Sequence, residues 1–254
     1  MSELLALAEA TAREAGAQLR EAFARTDLVV SAKSSPTDLV SEADHDAEAL
    51  IRERLSAARP GDGILGEEEG DVGGTSGLRW VVDPLDGTVN FLFGIPQWAV
   101  SIAVEDDEGA IAGVVYDPMR DELWSAARGG PARCDGRPIE GSRKDDLSQA
   151  MVATGFGYDA AMRAAQGETV ARLLPHVRDI RRLGSAALDL VWTAAGRYDV
   201  FYERGLNAWD LAAGGLICER AGLAVGELAA TDALPNGVLV APRALAARMR
   251  DLVE

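Results

Sequence analysis

Asp83 and Asp86 stand three residues apart in Trp80-Val81-Val82-Asp83-Pro84-Leu85-Asp86-Gly87-Thr88-Val89-Asn90-Phe91, after an apolar run and before a glycine. Carboxylate oxygens so placed suit a hard cation. Gly87-Thr88 reads as the opening of a short helix, whose unpaired amides and dipole favour a phosphate. A cation beside a phosphate is the outline of a hydrolysis site. The same letters also spell a turn, because Asp-Pro and Asp-Gly are common turn formers, so the pair alone leaves that reading open. Three more acids stand out. Glu67 follows Ile64-Leu65-Gly66, Asp210 follows Trp209 at a helix start, and Asp44 opens a second helix. Each has a plain account too. Glu67 belongs to the triplet Glu67-Glu68-Glu69, the kind of charge cluster that solvates a face, and Asp44 and Asp210 fit helix caps.

Such acids act together only if separate elements converge on them. Residues 3 to 25 carry Leu4, Leu5, Ala8, Ala12, Ala15, Leu19, Ala22 and Phe23 at helical spacing, which predicts an amphipathic helix. Leu28 to Ser31 predict a short strand, and Lys33-Ser34-Ser35-Pro36-Thr37-Asp38 a polar loop of mobile character. The second helix is expected to start at Ser41 or Asp44 and to run to about Ala58. Trp80 to Val82 read as a buried strand that Pro84 ends by removing a ladder donor. Gly70 to Gly77 and Gly129 to Arg143 read as loops. Ala99 to Glu105, Ala110 to Asp117 and Glu122 to Ala127 predict an antiparallel meander. Beyond residue 145 the pattern changes. Strands at 150–154, 177–183, 198–202 and 238–241 alternate with helices at 158–174, 185–195, 209–221 and 243–253. That alternation indicates an α/β layer. The expected organisation is an α+β half over 1–145 and an α/β half over 146–254.

The chain has 254 residues and 48% hydrophobic content, enough for one large core or two packed halves. Its 25 Lys and Arg against 41 Asp and Glu leave a net charge of -16. That balance argues against a nucleic-acid partner or an anionic membrane surface. A phosphorylated substrate is also an anion, so an acidic protein takes one up where cations reverse the local field. Cys134 and Cys218 lie outside any Cys-x-x-Cys pair and read as packing residues of a reducing cytosol. Met1-Ser2-Glu3-Leu4-Leu5 lacks a basic leader pattern, and no apolar run reaches the ~18 residues of a membrane span, so a cytoplasmic location is expected. His45 and His176 lack partners at catalytic spacing and read as structural.

Taken together, Gly66-Glu67-Glu68, Asp83-Pro84-Leu85-Asp86-Gly87-Thr88, Arg182-Leu183-Gly184-Ser185-Ala186-Ala187 and Trp209-Asp210 occur in an order that resembles the inositol monophosphatase family, part of the lithium-sensitive, magnesium-dependent sugar phosphatases. The likeness runs from the first helix to about Gly222 and includes Lys33 to Val40. It implies a mixed α+β and α/β fold, an αβαβα layered sandwich of the inositol monophosphatase and fructose-1,6-bisphosphatase type, with the site in the cleft between the halves. It implies that Glu67, Asp83 and the Leu85 carbonyl hold one magnesium, that Asp83, Asp86 and Asp210 hold a second, and that a third, weaker one lies near Glu67. Gly87 and Thr88 would give amides to the phosphate. Asp44 would hydrogen-bond the Thr88 hydroxyl, helping to orient and deprotonate the attacking water. Lys33 and Asp38 would belong to a mobile catalytic loop. Asp86, Gly184, Ser185, Ala186, Glu203 and Asp210 would line the polyol side. The implied reaction is hydrolysis of inositol monophosphate by direct attack of water. Fructose 1,6-bisphosphate, 3′-phosphoadenosine 5′-phosphate and histidinol phosphate remain alternatives, since related families share the metal motif. A homodimer is a further implication.

The likeness has departures. Glu219-Arg220-Ala221-Gly222-Leu223 stands where the family commonly has Glu-Ala-Gly-Gly, and 224–236 is short for the family. Arg204, after Glu203, is a candidate for a second anionic group on another substrate. Rival readings also exist. Phosphatases that form an aspartyl-phosphate place their key aspartates two apart, unlike Asp83 and Asp86. Gly155-Phe156-Gly157-Tyr158-Asp159-Ala160, with Asp179 further on, matches a dinucleotide fingerprint but lacks its other features. A non-catalytic scaffold that binds proteins is the third rival.

Overall fold

Small residues decide how the first layer packs. The computed structural model describes residues 2–24, 30–32 and 39–254. Helix α1 (Ser2–Phe23) buries Ala8, Ala12, Ala15 and Leu19 completely along one side. With so little side chain between them, helix and sheet approach closely: a Cβ on Gly16 would lie 2.6 Å from the Tyr116 ring. A short antiparallel pair, β1 (Val30–Ala32) and β2 (Leu39–Ser41), leads into α2 (Glu42–Ala58), which packs beside α1.

The first sheet has eight strands: β3 (Gly63–Gly66), β4 (Gly70–Val72), β5 (Arg79–Asp86), β6 (Ala99–Asp106), β7 (Gly109–Asp117), β8 (Glu122–Ala127), β9 (Arg133–Cys134) and β10 (Arg137–Pro138). A five-residue helix, α3 (Thr88–Leu92), interrupts the chain between β5 and β6. The order is β10-β9-β8-β7-β6-β5-β3-β4, with β3 parallel to β5 and every other pairing antiparallel. Strand β4 and the β9–β10 pair occupy stretches that the sequence assigns to loops. They are two or three residues long and too short to show alternation.

The second sheet follows the expected alternation: β11 (Met151–Thr154), α4 (Ala160–Leu173), β12 (Asp179–Arg181), α5 (Ala186–Ala194), β13 (Val200–Arg204), α6 (Ala208–Arg220), β14 (Ala224–Leu228), β15 (Gly237–Ala241) and α7 (Arg243–Val253). Its order is β12-β11-β13-β15-β14. Strands β12, β11 and β13 run parallel, while β15 and β14 pair antiparallel. Strand β14 is absent from the sequence reading. The strand predicted over 177–183 is confined to three residues, because Leu183 and Gly184 form the approach to α5.

Period-two alternation sorts the side chains into layers. Trp80 and Val82 join α1 and α2 in one core, with Ile51, Leu55, Val100 and Ile102. Val81, on the opposite face, joins Ala103, Val115 and Trp124 in a second core with α5, α6, Phe201 and Val240. Val152, Val200 and Leu239 form a third with Leu173, Leu245 and Met249 of α4 and α7. The result is an αβαβα sandwich, and its middle helical layer is shared by both sheets. No helix among the described residues is long and apolar enough to cross a membrane.

The middle layer is tight where α6 crosses β7, since a Cβ on Gly113 would come within 2.8 Å of Ala213 Cα. Gly113→Val should therefore lower stability by about 1–3 kcal/mol through overpacking. Urea unfolding checks this, and an unchanged midpoint would contradict the close approach.

Candidate active site

A one-residue irregularity in β5 brings the first two carboxylates together. Along β6, Asp83 pairs with Ser101 and Asp86 with Ala99, so Pro84 and Leu85 both oppose Val100. Residues three apart on a regular strand point to opposite faces, but an extra residue reverses the phase. Pro84 therefore does not end the strand, as the sequence suggests. Its missing N–H falls in the bulge, and pairing resumes at Asp86. Asp83 Oδ1 accepts the Leu85 N–H at 3.0 Å.

Gly87 then opens α3 with φ 97°. A side chain there would be strained, and its Cβ would lie 2.9 Å from the Gln97 carbonyl. The Gly87 and Thr88 amides lie at the helix start, where intrahelical acceptors are missing. Thr88 Oγ1 is 3.0 Å from the Leu85 carbonyl and 3.2 Å from Asp44 Oδ2, so its single proton has two acceptors within reach. Asn90, buried on α3, donates through Nδ2 to the carbonyls of Gln97 (2.8 Å), Leu183 (2.8 Å) and Gly184 (3.1 Å). It ties the loop before α5 to the first sheet.

The second half supplies the remaining partners. Ser185 caps α5, and its hydroxyl donates to Asp86 Oδ2. The Ala186 and Ala187 amides donate to the same carboxylate at 3.2 and 2.9 Å. Asp86 thus lies at the positive end of α5. Asp210 is not the cap of its helix. It lies three residues inside, and its Oδ2 accepts the Asn207 N–H at 2.6 Å. Glu67 is carried by a turn that Glu48 holds from α2. The wholly buried Glu48 carboxylate accepts the Glu68 and Glu69 amides at 2.7 and 3.0 Å and the Arg52 Nε–H at 2.8 Å. Gly66 leaves room for it, since a Cβ there would lie 2.2 Å from Glu48 Oε1.

Among the described residues, Asp83, Asp86 and Asp210 each offer a carboxylate oxygen within 4.8 Å of the others. Glu67, Leu85, Gly87, Thr88, Gly184, Ser185, Ala186 and Glu203 line the same cleft of about 420 Å³. Burial drives the Asp83 carboxyl well above its usual range, reinforced by the charges of Glu67, Asp86, Asp210 and Asp44. Burial and Asp86 push Asp210 up to about 8. Burial also raises Asp86, against the pull of the Ser185 hydroxyl and the first amides of α5. Glu203 is pushed up to about 8 by burial and by Asp210 and Asp86, with Arg182 opposing. Oxygen donors crowded out of water with the same sign fit a hard divalent cation, which neutralises them together.

Other expected residues fare differently. Lys33 and Asp38 lie outside the described residues. Arg204 is not available to a second anion: it is buried, and its guanidinium donates to the carbonyls of Ala229 (2.7 Å), Pro235 (3.0 Å) and Val253 (3.2 Å). The glycines of 155–157 do not cradle a pyrophosphate either. A Cβ on Gly155 would meet the Glu203 carboxylate, and one on Gly157 the Met162 sulfur at 2.2 Å. Asp159 already caps α4 with its own negative charge, accepting the Met162 N–H at 2.9 Å. Glu48 and Asn90 escape the sequence reading. Their only signal is a polar residue among buried helical positions.

Layered sandwich and acidic cleft together define a phosphatase class that is metal-dependent and acts on small phosphorylated substrates. The particular family follows from comparison: residues 1–254 match the inositol monophosphatase family, and the chain belongs to it. An inositol-1-monophosphatase of Mycobacterium bovis is 47% identical over 242 residues, covering 88% of this chain and 83% of that protein. The Nus factor SuhB of Escherichia coli is 40% identical over 259 residues, covering 99% of this chain and 97% of that protein. The crystal structure of extragenic suppressor protein SuhB from Bartonella henselae superposes with a TM-score of 0.93 at 36% identity, covering 99% and 98% of the two chains.

These raised acids bind protons more tightly folded than unfolded. Their stabilising contribution is full below about pH 4 and is lost as pH rises through about 8. With a chelator present, the melting temperature should fall between pH 5 and pH 8, and less so in Asp210→Asn. A divalent cation should cancel the fall by binding the ionised form. A profile that is flat or rising under chelation would contradict the mutual repulsion.

Proposed function

We propose that this protein hydrolyses small phosphorylated polyols, inositol monophosphate foremost, to the free polyol and phosphate, with two to three magnesium ions per site. The observation that carries this reading is the convergence of Asp83, Asp86 and Asp210 within 4.8 Å, beside the start of α3. Asp83, Asp86, Asp210, Glu67 and the Leu85 carbonyl would hold the ions, which when bound supply charge stabilisation to the phosphate oxygens and acidify water. The amides of Gly87 and Thr88 bind the phosphate. Thr88 Oγ1 orients a water through its lone pairs, its own proton resting on Leu85 O or Asp44 Oδ2. Asp86, held by Ser185, Ala186 and Ala187, and Glu203 accept polyol hydroxyls, two of which one carboxylate can take. The cleft separates an α+β half over 1–145 from an α/β half over 146–254. A cytoplasmic homodimer inhibited by lithium completes this reading.

The test is phosphate release from inositol 1-phosphate, fructose 1,6-bisphosphate, 3′-phosphoadenosine 5′-phosphate and histidinol phosphate, with and without magnesium. Magnesium-dependent preference for inositol 1-phosphate is expected. Preference for another compound would retain the chemistry and change the substrate, and no release from any would overturn the reading. Asp83→Asn should reduce turnover to background. Thr88→Ala should lower kcat by roughly 10²-fold or more while altering magnesium affinity less, the scale of a lost proton-handling group. Near-normal kinetics in either variant would refute the assigned role.

A second reading, a role in binding other proteins, is favoured by one observation: the Escherichia coli relative carries the name Nus factor. Were it the sole role, the melting temperature would ignore magnesium.

A further inference from the structure

The Gly155-Phe156-Gly157 segment, left without a role once a dinucleotide is excluded, adjoins the polyol side of the cleft. Strand β11 runs parallel to β13 with Thr154 opposite Tyr202, so the next residue on each, Gly155 and Glu203, emerge side by side. A Cβ built on Gly155 would lie 2.0 Å from Glu203 Oε1 and 2.2 Å from both Cδ and Oε2. The carboxylate therefore rests directly on the bare α-carbon. Gly155 is not in the left-handed region, so its backbone does not demand glycine. Space for Glu203 is the reason left. Among the described residues no hydrogen bond holds the Glu203 carboxylate from the protein side. Its depth is thus set by contact with Gly155, under the field of Arg182, whose guanidinium lies 5.7 Å above the Phe156 ring.

We infer that Gly155 is a specificity-determining positioning residue: its missing side chain sets how deep the Glu203 carboxylate sits, and with it which polyol the cleft accepts. This inference rests on the proposed role of Glu203 as a hydroxyl acceptor. The colliding atoms are the far end of a flexible side chain, so a methyl at 155 displaces the carboxylate while the strand stays in place. The displaced group reaches into the space a polyol would fill and presents its lone pairs at the wrong height. Glu203→Asp withdraws the carboxylate by one methylene and should relieve the collision.

The experiment measures kcat and KM for inositol 1-phosphate and for 4-nitrophenyl phosphate in Gly155→Ala, Glu203→Asp, Glu203→Gln and the Gly155→Ala/Glu203→Asp double variant, with melting temperatures alongside. Gly155→Ala should fold and should raise KM for inositol 1-phosphate about tenfold, the scale of one lost hydrogen bond to a charged group. Its kcat should change less, and its preference for inositol 1-phosphate over the aryl phosphate should fall by a similar factor. The double variant should show a higher preference than Glu203→Asp alone, which is coupling between neighbours rather than additive loss. Additive losses, an equal effect on both substrates, or a Gly155→Ala that cannot fold would each overturn the inference. A Glu203→Gln that leaves the preference untouched would instead overturn the hydroxyl-acceptor role, which separates the two failures.

Discussion

Carboxylates buried in one cleft repel each other in a medium that screens poorly, and the elements around this cleft are arranged to hold them in place against that repulsion. The means is the same each time: backbone amides aimed at an oxygen. Leu85 does this for Asp83, Asn207 for Asp210, and Ala186 and Ala187, with the Ser185 hydroxyl, for Asp86. Glu48 applies the same device from behind, gripping the amides of the turn that bears Glu67. Amides orient a carboxylate without cancelling its charge, so the cleft keeps its appetite for cations while its geometry stays fixed.

That arrangement depends on the sandwich. Helices α5 and α6 belong by sequence to the second sheet, yet they pack on the first, and one continuous core joins Val81 and Val115 to Phe201 and Val240. The donors for Asp86 therefore come from across the layer boundary. Asn90 spans the same boundary in the opposite direction, from α3 to the carbonyls of Leu183 and Gly184. The tight crossings at Gly113 and at Gly214, whose Cβ would meet Leu190 at 2.6 Å, leave these contacts little slack.

Much of this was legible in the sequence. Long elements with clear periodicity, such as α1, the β6–β8 meander and α7, stand out from pattern alone. The acids of the cleft stand out because each follows an apolar run or an aromatic residue at the end of an element. Strand β14 does not stand out, since Gly226 and Glu227 dilute a five-residue edge strand. Glu48 and Asn90 are silent for a different reason, and Gly155 stands out only as part of a fingerprint it does not serve. Each matters through a partner far along the chain, 20 residues for Glu48 and Glu68 and 93 for Asn90 and Leu183. Local periodicity carries no information about such partners. Arg204 shows the converse: a charged residue beside a candidate site reads as functional, whereas its three carbonyl partners make it a clamp on the C-terminal segments.

The bulge at Pro84 and Leu85 has a consequence for how this chain tolerates change over time. Because the bulge exists through the count of residues and not through any one side chain, the site is guarded by reading length. Substitutions at Leu85 or Pro84 leave that count intact, whereas losing a single residue there would set the two aspartates two apart on a regular strand, still on one face but without the extra backbone unit whose N–H Asp83 accepts and whose carbonyl Thr88 meets. Divergence in this family would then be expected to run through exchanges of residue within the segment and to spare its length, with insertions and deletions confined to the outer connections.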